Sequence, residues 1–323
     1  MKAIRVRQHG GPDVLAYENV EVVAPGPGEV RVRNRAIGVN YIDVYLRSGA
    51  YRPPHLPFIP GKEGAGEVIS VGPDVQGFKP GDRVAYVEAL GAYAEENNVP
   101  AHYLVHLPAD IDFETGAAMM LKGLTAQYLL RRTVRIEPGH TILVHAAAGG
   151  VGLTLTQWAR HLGATVIGTV GSAEKAELAR ANGAHHVIDY VKEDFADRVR
   201  EITGGKGVDV VYDGIGQRTF EGSLDSLRPL GHFVSFGSAS GAIAPFDITT
   251  LAAKGSLYAT WPLLPTHLAR RQDVLEMTQD LFDVVASGAV KIPVHARLPL
   301  TEAAEAHRRL EGRQTTGAMV LLP

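Results

Sequence analysis

Apolar and polar positions change rhythm once along this chain. Within residues 1–120, short runs alternate with period two: Ala3–Arg7, Val30–Ala36, Glu67–Val71 and Arg83–Val87. Turns rich in Gly and Pro, such as Ala24 to Gly28 and Phe78 to Asp82, separate them. Alternation of this kind predicts half-buried strands, and the turns predict a compact antiparallel or barrel-like β domain. From about Leu121 to Tyr258, apolar β-branched runs alternate instead with stretches of helical period. That predicts a parallel α/β sheet. Its strands are expected at Thr141–His145, Thr165–Val170, His186–Asp189, Val208–Asp213, Gly231–Phe236 and Ser256–Ala259, enough for a doubly wound fold. Beyond Pro262 one amphipathic helix over 267–286 leads into strand and helix again. The expected division is a mainly β domain of residues 1–121 with 262–323, and an α/β domain of 122–261.

The stretch Thr141 to Gly152 carries the first chemistry. A buried strand runs into small residues, and Ala147-x-Gly149-x-x-Gly152 opens a helix predicted from Val151 to Leu162. This is the dinucleotide fingerprint with Ala in the first glycine place. It supplies a tight turn, close backbone approach to a pyrophosphate and a helix N-terminus whose free N–H groups attract the anion. An NAD-type unit places Asp or Glu about twenty residues past the first glycine, on the ribose 2′-hydroxyl. Here the second strand ends in Thr169, Val170, Gly171 and Ser172 without an acid, and Lys175 follows. A missing carboxylate removes repulsion against a 2′-phosphate, and a lysine attracts it, so the cofactor is expected to be NADPH.

Composition narrows the chemistry further. A content of 45% hydrophobic and 21% charged residues describes a globular protein, and a net charge of −3 favours neither nucleic acid nor an anionic membrane. No apolar run approaches the roughly 20 residues of a membrane span. The N-terminal run lacks the apolar core of a signal peptide, so a cytoplasmic protein is expected. There is no cysteine, which excludes disulfides, thiolate nucleophiles and Cys-bearing zinc sites. The histidines show no metal-ligand spacing, and no metal site is expected.

Four motifs in order carry a family likeness: Ala36 to Asp43, Pro60 to Gly66, Gly77 to Val84, and the glycine loop at 147–152. Together they resemble the medium-chain dehydrogenase/reductase superfamily over nearly the whole chain. Within it, Lys122 to Ala126, His145 to Gly152, Val211 to Gly216, Val234 to Gly237 and Gly312 to Gly317 resemble the zinc-free, zeta-crystallin-like NADPH:quinone oxidoreductases. Zinc-dependent relatives place a Cys ligand near Asn40 and a His ligand near Lys62, and neither is present. The resemblance implies a doubly wound Rossmann domain plus a GroES-like catalytic domain. It implies that Gly149, Gly150 and Val151 approach the pyrophosphate. Gly171, Ser172, Lys175, Tyr190 and Arg313 are assigned to the adenosine 2′-phosphate end. Gly214, Ile215, Phe236, Gly237 and Ser238 sit at two predicted strand ends, where ligands bind in open α/β sheets. Asn40 and Thr125 are assigned to the nicotinamide half. It also implies a homodimer through the last Rossmann strand, since an apolar edge strand otherwise invites aggregation.

Without zinc or cysteine, the remaining chemistry is hydride transfer to an acceptor that needs little activation, a quinone or another conjugated carbonyl. Asn40, Tyr45 and Tyr51 are the candidate catalytic residues, the tyrosines as donors to a developing oxyanion. Close quinone oxidoreductases can carry an Arg in the region Leu257 to Pro262, where this chain has Trp261. Two alternatives stay open: reduction of the C=C bond of enals, enones or 2-enoyl thioesters, and a non-enzymatic NADPH-liganded protein, structural or RNA-binding. The chain has no basic run or RNA module, which argues against RNA as a main partner.

The 2′-phosphate reading has a direct test. NADPH should serve far better than NADH, and Lys175→Ala should raise the KM for NADPH by about tenfold, the effect of losing one charge-assisted phosphate bond. Equal use of the two cofactors by the unaltered chain contradicts it.

Overall fold

A computed structural model of the chain describes residues 1–53 and 55–323. In order, the elements begin with β1 (Lys2–Val6), β2 (Leu15–Asn19), β3 (Glu29–Gly38), α1 (Tyr41–Ser48) and β4 (Glu63–Val71). Then come β5 (Arg83–Val87), β6 (Glu96–Pro100), β7 (Leu104–His106) and α2 (Phe113–Tyr128). The alternating section follows as β8 (Thr141–Val144), α3 (Gly150–His161), β9 (Thr165–Val170), α4 (Ala173–Ala181), β10 (His186–Asp189) and α5 (Phe195–Ile202). It continues with β11 (Val208–Asp213), α6 (Phe220–Asp225), β12 (Leu227–Ser235), α7 (Thr249–Ala253) and β13 (Tyr258–Thr260). The last elements are α8 (Leu264–His267), α9 (Arg271–Ala286), β14 (Val294–Pro299), α10 (Ala303–Glu311) and β15 (Ala318–Leu322). No helix of the described residues is long and apolar enough to cross a membrane.

The chain forms two compact units: Met1–Leu124 with Leu268–Ala286 and Ile292–Pro323, and Thr125–His267 with Ser287–Lys291. In the first, a seven-stranded sheet runs β14-β15-β3-β4-β5-β7, with β6 also pairing β3, antiparallel except between β14 and β15. Val30, Val32, Ile37, Val68, Val84, Tyr86 and Leu104 fill its core. β4 starts at Glu63, four residues before the alternating run that predicts a strand. Gly64 and Gly66 hide the pattern because each lies where another chain segment comes close. A Cβ on Gly64 would meet the Tyr86 hydroxyl 2.6 Å away, and one on Gly66 would sit 1.9 Å from the carbonyl oxygen of Arg33 on the paired strand. Glycine marks close backbone approach here, not a loop.

The second unit carries six parallel strands in the order β10-β9-β8-β11-β12-β13, the doubly wound arrangement. Leu143, Ile167, Ile188, Val211 and Phe233 pack against Phe220 and Leu224 of α6. The predicted mixed fold is therefore present. The last two sheet strands differ from their predicted limits. β12 begins at Leu227, and β13 starts at Tyr258 because Gly255 and Ser256 take left-handed φ values of 113° and 56° and end the preceding turn. The helix expected over 267–286 is α9, which starts at Arg271 and ends at Ala286, with the short α8 before it.

Candidate active site

In the second unit, the fingerprint turn is held by hydrogen bonds from Gly149 N to the Ala146 carbonyl (2.8 Å) and from Ala147 N to the Thr169 carbonyl (3.1 Å). Ala146 adopts a left-handed φ of 52°, uncommon for a residue with a Cβ. No side chain of the described residues caps α3, so the N–H groups of Gly150 and Val151 stay available at a half-exposed helix start. A Cβ on Gly152 would lie 2.2 Å from the Ala146 oxygen, so only glycine lets the helix start this close to the turn.

The neighbouring strand ends form the rest of this face. Past β9, Gly171 lies against Tyr190, and a Cβ there would meet its hydroxyl at 2.5 Å. Ser172 caps α4 by accepting from Lys175 N at 3.3 Å. Lys175 itself is half-buried, and Tyr190 is 44% exposed. Past β11 and β12, Gly214 packs under the Phe236 ring, and a Cβ on Gly237 would be 2.8 Å from the Gly214 oxygen. Ile215 and Ser238 lie half-exposed on these loops, and Thr125 is buried on α2. This cradle of small residues and free amides fits a dinucleotide. Arg313, by contrast, belongs to the first unit, at a left-handed φ of 56°. Trp261, past β13, is 39% exposed.

In the first unit, Asn40 stands at the start of α1. Its Nδ2 donates to Glu63 Oε1 (2.7 Å), and its Oδ1 accepts from Lys122 Nζ (2.7 Å). Lys122 also pairs with Glu63 Oε1 at 2.9 Å, while Glu63 Oε2 accepts from Leu121 N at 2.6 Å. Glu63 is fully buried and Lys122 nearly so. A second buried chain begins at Asp43, whose Oδ2 accepts from Asn40 N (2.9 Å) and Tyr93 Oη (3.1 Å). Tyr93 meets His307 Nε2 at 3.1 Å, and His307 Nδ1 faces Arg47, which donates two hydrogen bonds to the Glu311 carboxylate at 2.9 and 2.8 Å. Arginine only donates, so His307 Nδ1 accepts and its proton sits on Nε2. Burial, then the Arg47 charge, lowers the His307 pKa to about 3. Burial raises Asp43 to about 7 against the pull of its Asn40 and Tyr93 bonds.

Tyr45 and Tyr51 come together, with ring centroids 5.0 Å apart, and Tyr41 joins Tyr45 at 5.2 Å from one turn earlier on α1. Burial, and then Tyr45, raises the pKa of Tyr51, which keeps its hydroxyl a donor. Tyr41, Glu63, Tyr93 and His307 are not apparent as site residues in sequence. Lys122 offers a signal, a lone charge in the apolar run Met119 to Leu124.

The donor set does not fit zinc. Both ends of the Asn40 amide are engaged by Glu63 and Lys122, and Lys62 at the other ligand place is a cation paired with Glu88. Among the described residues no cluster of three His, Asp or Glu could hold a metal.

Two family profiles match the chain: the alcohol dehydrogenase GroES-like domain over residues 26–109 and the zinc-binding dehydrogenase family over 150–262. The chain is 52% identical to a quinone oxidoreductase of Pseudomonas aeruginosa, covering 100% of this chain and 99% of that protein. The chain belongs to the zinc-free quinone oxidoreductases of the medium-chain dehydrogenase/reductase superfamily. It is also 49% identical to a 2-haloacrylate reductase of a Burkholderia species, over 98% of each. The crystal structure of the Escherichia coli quinone oxidoreductase complexed with NADPH aligns over 100% of both chains, with a TM-score of 0.98 and 48% identity. The zinc in the second profile's description does not suit this chain, whose Asn40 and Lys62 are engaged by Glu63, Lys122 and Glu88.

The Asp43 chain predicts a pH effect of known sign. The folded chain keeps a proton on Asp43 up to about pH 7, whereas the unfolded chain releases it near 3.8. The folded state therefore binds more protons in that window, and Asp43's contribution to stability falls as pH rises. His307 acts oppositely, its contribution present above 6.5 and lost towards pH 3. Asp43→Asn should be more stable relative to the parent at pH 7 than at pH 5 by about 2 kcal/mol, at ~1.4 kcal/mol per pH unit. Urea unfolding at the two pH values measures this, and a pH-independent difference removes the assignment.

Proposed function

We propose that this chain is an NADPH-dependent quinone oxidoreductase that transfers hydride without a metal. The observation that carries the reading is the 52% identity to a quinone oxidoreductase over the full chain. Bound NADPH supplies the hydride from its nicotinamide ring. Gly149, Gly150 and Val151 offer it backbone N–H groups for the pyrophosphate. Ser172, Lys175, Tyr190 and Arg313 take the 2′-phosphate end, beside Gly171, with Arg313 offering a planar donor fork. Gly214, Ile215, Phe236, Gly237 and Ser238 border the cofactor, and Asn40 and Thr125 face the nicotinamide half. Tyr45 and Tyr51 give the acceptor an aromatic surface and two phenol donors for the oxygen that gains negative charge. Hydride and one proton from solvent convert the quinone to its hydroquinone.

The Burkholderia relative supports a second reading, reduction of an activated C=C bond by the same hydride. NADPH oxidation should be followed with 9,10-phenanthrenequinone, 1,4-benzoquinone, an enal and 2-chloroacrylate in parallel. Quinone turnover should exceed the others by at least about tenfold, a difference of ~1.4 kcal/mol in barrier, and should drop in Tyr45→Phe or Tyr51→Phe. Turnover confined to the enal or chloroacrylate moves the function to C=C reduction.

We further propose a homodimer through β13. Its three residues Tyr258, Ala259 and Thr260 are all exposed at the end of the parallel sheet, which leaves an edge free to pair. Sedimentation equilibrium should give twice the 34.6 kDa chain mass; a single-chain mass rejects the dimer.

A further inference from the structure

His145 immediately precedes the fingerprint turn, yet it points away from solvent and is 2% exposed. Its Nδ1 lies 2.9 Å from Thr169 Oγ1 and its Nε2 lies 3.0 Å from Ser223 Oγ. Ser223 Oγ in turn lies 3.0 Å from Asp213 Oδ2, which also accepts from Thr219 Oγ1 at 2.7 Å. Asp213 Oδ1 accepts from the backbone N–H groups of Ile215 (2.7 Å) and Gly216 (3.0 Å). The edge of the Phe195 ring closes the site, 4.9 Å from the imidazole.

The hydrogens can be placed by elimination. Four donors converge on Asp213 and fill the acceptor capacity of a carboxylate. Ser223 therefore spends its only hydrogen on Asp213 and must accept from His145, which puts the imidazole proton on Nε2. Nδ1 then accepts from the Thr169 hydroxyl. Donation runs from Thr169 to His145 to Ser223 to Asp213, and the Ile215 and Gly216 amides donate to Asp213 from the other side. Burial lowers the His145 pKa, with the Asp213 charge opposing, and the neutral ring suits both bonds.

These residues sit where cofactor loops begin. Thr169 is three residues before Ser172, and its carbonyl also holds the Ala147 amide of the fingerprint turn. His145 leads into that turn, and Asp213 shapes the Gly214–Gly216 loop. Only a side chain that accepts at one end and donates at the other, across the width of a ring, links β9 to α6 and β11 through this point. We propose that His145 is a positioning residue for the dinucleotide site, its buried hydrogen-bond chain fixing three loops in the conformation that binds NADPH. The proposal rests on the NADPH reading above. It makes affinity, not hydride transfer, the quantity that His145 controls.

The test uses the full chain with His145→Phe, which keeps a ring but makes neither bond, and Thr169→Val, which removes one donor at nearly constant shape. NADPH binding is titrated by fluorescence without an acceptor, and exchange of the Ile215 and Gly216 amides is followed in the cofactor-free protein. Expected for His145→Phe is a tenfold or greater rise in the NADPH Kd with kcat at saturating NADPH within threefold, and tenfold faster exchange at both amides. Thr169→Val should show the same pattern at smaller size, and it carries the test alone if His145→Phe does not fold. A fall in Tm with Kd and local exchange unchanged would mean a merely structural role and overturns the proposal, as does any other combination. If the unaltered chain does not bind NADPH, the cofactor reading fails separately, and exchange at Ile215 and Gly216 decides by itself whether His145 fixes the loop.

Discussion

Lys122 carries an ammonium group into the interior of the first unit, and the surrounding residues are arranged to tolerate it. A buried charge left unpaired costs several kcal/mol, so Glu63 and Lys122 must be placed together or not at all. Glu63 meets three donors, from Asn40, Lys122 and Leu121. That requirement reaches well beyond the pair. Gly38 must be glycine, because a Cβ there would lie 2.1 Å from Glu63 Oε1 and 2.4 Å from the Ala117 oxygen. The amide of Asn40 is fixed in one orientation, and through Asn40 N the same residue anchors Asp43 and the first turn of α1. Tyr41 and Tyr45 ride on that helix, so the geometry of the aromatic cluster follows from a charge buried elsewhere on the same unit.

The second unit is organised by a different constraint, the parallel sheet. All six strands point one way, and their C-terminal ends deliver the small residues of the cradle to one edge. Glycines at 152, 171 and 237 share a function there: each leaves room that a Cβ would fill with a clash against backbone or the Tyr190 side chain. Polar side chains within this edge are few. Four of the buried ones, His145, Thr169, Asp213 and Ser223, are joined into one chain that satisfies them.

The two units differed in how much their residues disclosed. Parallel strands of the second unit are bounded by local signals, and β9, β10 and β11 begin and end where the apolar runs do. The antiparallel unit is harder to read because its glycines sit inside strands, so the first four residues of β4 look like a loop until Tyr86 and Arg33 are seen beside them. Candidate cofactor positions in the glycine loops were legible, since they depend on backbone conformation encoded in a few adjacent residues. The polar networks were not. Glu63 and Lys122 lie 59 positions apart and Arg47 and Glu311 lie 264 apart, distances over which spacing carries no information. His145 was visible only as part of a motif. Its isolation as a polar residue at the end of an apolar strand was the one trace of its buried partners.

The pairing of β15 with β3 sets an order on synthesis. β3 receives β4 on one edge and β6 along Glu29–Arg33 soon after it is made, but β15, which pairs its Ile37–Gly38 end, is translated after every strand of the second unit. The Rossmann-type unit, almost continuous from Thr125 to His267, has all its strands well before then. The second unit can therefore fold during translation while the Ile37–Gly38 end of β3 still waits with an open edge. During that interval this short stretch of β3 edge is open to mispairing, and its vulnerability is a matter of translation time.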